Sequence, residues 1–222
     1  MSRPPAVVAR AAAKESVLVV PRSQAFPRGS WHGFRSGGVD ELLQVLAAFG
    51  EFRPRAEVET EPAWQQVIPH LVVRSQDRLL AMRRLRAGSE PRLRGQVTLG
   101  VGGHINHLDG AAGSAWESGC RREWLEEVIC DRPLPARAVG LLKDDAGAVG
   151  RVHLGVLILA EADGAQVEVR EKHKLEGRMI PIADLGVYYL EMETWSQFVY
   201  DALLGGDLGE GAAAPVLWLP PT

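Results

Sequence analysis

Gln96-Val-Thr-Leu-Gly-Val-Gly-Gly103 and Ser114-Ala-Trp-Glu-Ser-Gly-Cys-Arg-Arg-Glu-Trp-Leu-Glu-Glu-Val-Ile129 are the two pieces of sequence whose reading decides the fold. The first has strand composition from Gln96 to Val101 and then runs into a glycine pair. The second reads as a helix from about Ala115 to Ile129, with Pro133 and Pro135 beyond it as stops. Ser114 and Glu117 have the S-x-x-E spacing of a capping box, which predicts where the helix begins. Cys120, Trp124 and Val128 recur at i, i+4 and i+8 with Leu125 beside them, the pattern of a buried stripe. Glu123, Glu126 and Glu127 fall on a different face at i, i+3 and i+4, where like charges repel by a few tenths of a kcal/mol per pair, on the order of 0.2–0.5. Arg121 and Arg122 relieve only part of that. Gly119 lies one turn before Glu123 on the same face. A glycine inside a helix costs roughly 0.5–1 kcal/mol against alanine, so its presence predicts a close approach there.

A hard divalent cation would resolve the crowding of carboxylates. Mg²⁺ takes oxygen ligands, commonly carboxylates completed by water and substrate phosphates. A face of three glutamates beside a glycine loop that exposes backbone carbonyls suits it. The bland reading of the same string is a solvated acidic helix face.

Outward from this centre, Val67–Arg74 and Arg78–Arg84 read as strands around the turn Ser75-Gln-Asp77. Ala136–Lys143 and Arg151–Ala160 read as a strand pair around Asp144-Asp-Ala-Gly147. The second of these is almost continuously apolar, as in a strand buried on both faces. Gln166–Arg170 alternates like a half-exposed strand, and Thr194–Leu204 is a last helix. N-terminal to the centre, Val17–Val20 is a short strand, the glycine-rich Arg28–Gly38 a loop, and Asp40–Phe49 a helix. Phe52–Arg55 reads as a linker, which sets a boundary near residue 55. Three units follow: an extension over residues 1–55, a main domain over 56–205 and an extended tail over 206–222. Strands and helices mix without regular alternation, which favours an α+β class.

The chain has 222 residues, 46% hydrophobic and 24% charged. That composition excludes a collagen, a disordered chain and a disulfide scaffold. With 25 Lys and Arg against 28 Asp and Glu, the formal net charge of −3 provides no basic excess for nucleic-acid or acidic-membrane binding. Cys120 and Cys130 sit near opposite ends of the predicted helix, too far apart for a bridge, and point to a reduced, cytoplasmic protein. The apolar run Val152–Ala160 is far shorter than the ~20 residues of a membrane helix, and Arg10 interrupts the N-terminal apolar patch, which argues against a secretory signal. There is no Gly-x4-Gly-Lys-Ser/Thr loop, no Gly-x-Ser-x-Gly elbow and no paired-cysteine zinc spacing.

The order strand, Gly102-Gly103, loop, then Arg122-Glu-Trp-Leu-Glu-Glu127 resembles the Nudix box of the MutT-like hydrolases, G-x5-E-x7-R-E-U-x-E-E-x-G-U. Gly103, Arg122, Glu123, Glu126 and Glu127 match, and Trp124 fills the first U. Leu99–Asn106, Gly140-Leu-Leu-Lys-Asp-Asp145 and Val152-His-Leu-Gly155 resemble the branch known as predicted phosphoesterases, over roughly residues 57 to 205. The loop from Gly103 to Arg122 is five residues longer than the pattern. Counted back from Arg122, the first family glutamate falls on Ser114 and the late glycine on Ile129.

The resemblance implies an α/β/α sandwich around a mixed sheet, with the N-terminal extension packed on it and available for a homodimer contact. It implies a Mg²⁺- or Mn²⁺-dependent hydrolase that cleaves a pyrophosphate bond in a nucleoside diphosphate linked to another moiety. The alternative is a catalytically weak nucleotide-binding or regulatory module. Residue by residue, Glu126 and Glu127 are implied metal ligands and Glu123 a ligand or the base. Arg122 would orient a carboxylate, and the Gly102 carbonyl would be a further ligand. Gly103 and His104 would meet substrate phosphate. Glu171, with Glu176 as the other candidate, would be an assisting acid from a later loop. His153 in its apolar strand reads as a hydrogen-bonded core histidine, and Asp144 and Asp145 as turn formers. Trp31, Trp64 and Tyr188 read as packing residues rather than base-stacking platforms. Two glycines and two alanines after Asp109 suggest a mobile loop.

Overall fold

The computed structural model describes residues 15–85, 95–170, 172–173, 175–208 and 216–222. Its centre is a mixed sheet. The long β4 (Trp64–Ser75) runs parallel to β9 (His153–Glu161), and β9 runs antiparallel to β8 (Leu134–Lys143). Outward from β4 come β5 (Arg78–Arg84) and β11 (Leu175–Pro181), and outward from β8 comes β12 (Val216–Leu219). Four short strands join this path. β1 (Ser16–Pro21) bridges β3 (Glu51–Pro54) and the start of β4, β2 (Gly33–Ser36) pairs with the end of β8, and β6 (Val97–Thr98) pairs with β5.

The sheet is a middle layer because β9 is apolar on both faces. Leu154, Val156, Ile158 and Ala160 point into one core, and Leu157 and Leu159 into the other. This is the period-two geometry of a strand covered on both sides. On the first face lie α2 (Val39–Phe49), through Leu42 and Leu46, and α4 (Ala115–Glu127), through Cys120 and Trp124. On the second lies α6 (Thr194–Gly205), through Val199 and Ala202. The result is the expected α/β/α sandwich around a mixed sheet. Single helical turns make up α1 (Arg22–Ala25), α3 (Arg55–Val58) and α5 (Ala148–Val152), and 3-10 segments cover His107–Asp109 and Ile182–Glu191.

Several elements differ from their expected extent. Residues 52–55, read as a linker, belong largely to β3, which is hydrogen-bonded to β1. The loop over residues 28–38 contains β2, and the tail contains β12. The predicted strand over 96–101 shrinks to β6, because the Thr98 hydroxyl bonds the Gly100 backbone (2.9 Å) and turns the chain out of the ladder. Only Val101 returns, in an isolated bridge to Leu71. The helix expected to Ile129 stops at Glu127, where β7 (Val128–Cys130) pairs with β10 (Val167–Val169). Cys120 and Cys130 are both free and buried. Among the described residues, no helix is long and apolar enough to cross a membrane.

Candidate active site

The glycine loop leaves β6 and passes between β4 and α4. Gly102 has φ +150°, and a Cβ there would lie 1.9 Å from the Pro69 carbonyl oxygen. A Cβ on Gly103 would lie 2.7 and 2.8 Å from the two carboxylate oxygens of Glu123. Backbone therefore bars a side chain at Gly102, while one at Gly103 would have to push the Glu123 carboxylate aside, and the loop is pressed against α4. The close approach predicted at Gly119 is also present: Ile105 packs where its Cβ would be, at 2.8 Å.

Arg122 is the hub. Its Nε and Nη2 donate to the Asp109 carboxylate at 2.8 and 3.0 Å, Nη2 also donates to the His104 carbonyl at 2.8 Å, and Nη1 donates to Glu123 Oε1 at 2.7 Å and Glu126 Oε1 at 3.3 Å. These bonds, above all the one to Asp109, push the guanidinium pKa up. Burial would raise the Asp109 carboxyl, but its bonds from Arg122 and the Asn106 amide outweigh that and hold it below the usual carboxylate range. Glu123 is buried beside them. Desolvation raises it to about 6 against the pull of Arg122, with Glu126 and Asp109 adding repulsion. Glu126 is largely exposed and Glu127 half-buried. Glu123 is the glutamate that meets the glycine loop, and Arg122 joins Glu126 to it.

Asp109 was not anticipated. Counting back from Arg122 placed the first family glutamate on Ser114. Counting forward from Gly103 passes five residues and reaches Asp109, so the additional residues lie between Asp109 and Arg122. Asp109 also closes a reciprocal capping box: the Asn106 amide donates to Asp109 Oδ2 (2.9 Å) and the Leu108 amide to Asn106 Oδ1 (2.9 Å). The box predicted at Ser114 and Glu117 does not form. The turn Ala111–Ser114 leads directly into α4, the Ser114 hydroxyl points back to the Ala111 carbonyl (3.3 Å), and Glu117 pairs with Arg121 (3.2 Å). These bonds hold the Asn106–Asp109 part of the loop.

His104 follows the glycines, and its Nε2 lies 3.2 Å from His153 Nε2. His153 is buried and hydrogen-bonded, as expected, with Nδ1 2.7 Å from the Val149 carbonyl. Burial lowers the pKa of both imidazoles and favours their neutral forms. Glu59, which no sequence signal marked, brings a carboxylate to the same point. Glu176 is exposed on β11, opposite Arg83, and Glu171 lies outside the described residues. Asp144 forms the predicted turn by accepting from the Ala146 amide (2.9 Å). Asp145 does more: it pairs with Arg22 (2.7 Å), Lys143 (3.2 Å) and the Ser30 hydroxyl. Trp31 and Trp64 are covered by Arg35 and Arg53, each 3.8 Å from the ring centre.

A glycine loop locked against a helix that presents Arg122, Glu123, Glu126 and Glu127, beneath an α/β/α sandwich, defines a Nudix hydrolase, and this chain belongs to that family. It is similar to Tm1382, a candidate Nudix hydrolase of known structure: 31% identity, 86% of this chain and 99% of that one covered, TM-score 0.75. It is also 38% identical over 201 residues to Protein YmaB of Bacillus subtilis (strain 168), covering 85% of this chain and 97% of the relative. No family model matches the chain. As a Nudix hydrolase it is a pyrophosphate-cleaving enzyme acting on diphosphate-containing substrates, a family that generally uses divalent metal ions.

Proposed function

We propose that the chain cleaves the pyrophosphate bond of a nucleoside diphosphate linked to another moiety, with Mg²⁺ or Mn²⁺ held by Glu123, Glu126, Glu127 and the Gly102 carbonyl. The observation that carries this reading is the contact of Gly103 with Glu123. The loop reaches the acidic face so closely that a methyl group at Gly103 would have to displace the Glu123 carboxylate. An all-oxygen donor set of carboxylates and a carbonyl fits a hard cation. When bound, such a metal lowers the pKa of water and neutralises charge on phosphate oxygens. The protein residues do the positioning. Arg122 fixes Glu123 and Glu126 by charge-assisted bonds and is itself aimed by Asp109. Glu123 is a ligand or the proton acceptor for the attacking water. Substrate phosphates lie against the Gly103–His104 stretch, and Glu171 is the assisting acid on the strength of the resemblance alone.

Asp109 on Arg122 supplies an acid where the count back from Arg122 finds only Ser114, which favours the hydrolase over the weak binding module. The test is phosphate release from a panel of nucleoside diphosphate derivatives with Mg²⁺ or Mn²⁺. Metal-dependent turnover in the wild type should fall by on the order of 10²-fold or more in Glu126→Gln. Nucleotide binding with no turnover would restore the binding-module reading, and turnover indifferent to Glu126→Gln would remove the assigned metal site.

A further inference from the structure

Beside the acidic helix face, three residues from distant parts of the chain meet. Glu59 caps the end of α3, His104 follows the glycine pair and His153 opens β9 in register with Gln66 of β4. One ligand atom from each lies within 4.8 Å of the others. Glu59 and His153 belong to no part of the Nudix box, so this cluster is a separate donor set. Its chemistry also differs: two imidazoles and one carboxylate against an all-oxygen site.

We propose that Glu59, His104 and His153 form a second metal site, for a borderline transition-metal ion of the zinc class. Four observations support it. First, the two Nε2 atoms are 3.2 Å apart. Ligands at about 2.0–2.1 Å from a tetrahedral zinc are separated by roughly 3.3–3.4 Å, so the pair already has the required spacing. Second, the Val149 carbonyl can only accept, so His153 Nδ1 carries the hydrogen and the lone pair on Nε2 faces the cluster. A histidine oriented through its other nitrogen by a backbone carbonyl is the usual support of a metal ligand. Third, Glu59 supplies the negative charge, and Arg55 Nε steadies its carboxylate at 3.3 Å. Fourth, Glu59 and His104 each keep some solvent exposure, through which an ion can reach the cluster. Two nitrogen donors select against Mg²⁺ and for zinc among the common divalent ions.

The bare pair can instead be a hydrogen bond, with His104 Nε2–H donating to His153 Nε2. Metal binding replaces that bond, and the His104 proton moves to Nδ1. The His104 carbonyl accepts from Arg122, so one residue spans the second site and the hub of the active site.

The test uses the full chain, stripped with chelator, dialysed and titrated with Co²⁺, whose visible d–d bands report tetrahedral ligation by nitrogen and oxygen. One equivalent should develop these tetrahedral bands, and one equivalent of Zn²⁺ should abolish them. Glu59→Gln and His153→Gln should each weaken binding by about 10-fold or more, while Glu126→Gln leaves the bands unchanged. Far-UV circular dichroism establishes that each variant is folded. A half-buried Glu59 makes Glu59→Gln the variant least exposed to misfolding, and His104→Gln is the second. A wild type with no d–d bands and no retained Zn²⁺ overturns the proposal, as does a folded Glu59→Gln or His104→Gln protein that binds Co²⁺ undiminished. Loss of the bands in Glu126→Gln with retention in Glu59→Gln also overturns it, by moving the ion to the acidic helix face. None of these readouts depends on turnover, so the outcome is independent of the proposed hydrolysis.

Discussion

Arg122 concentrates more of the site's geometry than any glutamate it holds, because one planar guanidinium addresses Asp109, Glu123, Glu126 and the His104 carbonyl together. Asp109 is its deepest partner, with a side chain only 4% exposed. Removing that charge leaves a half-buried cation with weaker compensation. Hydrogen bonds to charged groups contribute about 1.5–3 kcal/mol, so Asp109→Asn should lower the urea unfolding free energy by about 2 kcal/mol. It should also lower metal-dependent turnover through the freed Arg122. An unfolding curve superimposable on wild type would show that Glu123 and Glu126 suffice to hold the arginine. Gly103→Ala tests the opposite side. Its methyl must displace a Glu123 carboxylate that Arg122 pins at 2.7 Å. Turnover should drop by on the order of 10²-fold, while the thermal midpoint moves by only a few degrees, about 2–4 °C per kcal/mol at this size. Most of these residues were legible as types at fixed spacing. Asp109 was not, because its identity depends on which end of a lengthened loop the count starts from. Only the folded loop shows which acid reaches the arginine.

Among the elements, those with strong internal periodicity were legible to within a residue or two: α2, α4, α6, β5 and the double-faced β9. β2, β3 and β12 were not, since strands of four residues have too little pattern of their own and exist because β8 and β1 offer them free edges. Glu59 was illegible for the same reason, as its partners come from elements far away in sequence. The turn between β8 and β9 shows how such elements are fastened. Asp145 ties the turn to Arg22 of α1, to Ser30 before β2 and to Lys143 at the end of β8. Burial would raise its carboxyl, but these partners prevail and hold it at about 2, below the ordinary aspartate value. A depressed carboxyl stabilises the fold above its unfolded pKa and loses that contribution as pH falls through the folded one. The contribution should therefore be complete above about pH 4 and vanish toward pH 2, with a magnitude of about 2 kcal/mol. Denaturant titrations across this range should show a flatter acid limb for Asp145→Asn than for wild type. Equal limbs would assign acid sensitivity to other carboxylates.

At the scale of the molecule, the N-terminal residues read as an extension of 1–55 raise the question of whether they fold with the main domain or beside it. β1 supplies the argument. Val17 to Val20 are at most 1% exposed, and the Leu18 amide donates to the Ile105 carbonyl at 2.8 Å, in the loop between the glycines and Asp109. Leu18 packs into the same core as Trp124 of α4, while Val17 and Val19 pack with Val58 on the other side of the strand. β1 therefore supports both the start of β4 and the loop that carries His104. We expect one cooperative unit. Urea unfolding followed by tryptophan fluorescence and by far-UV circular dichroism should give coincident transitions. Leu18→Ala should cost about 2–5 kcal/mol and shift both probes together. A chain beginning at residue 56 should show no cooperative transition, because the first residues of β4 and the Ile105 carbonyl would lose their backbone partners along with one wall of the core. If that shortened chain unfolds cooperatively at the full-length midpoint, the extension is an independent attachment, and the geometry of the active-site loop is set by β4 and α4 alone.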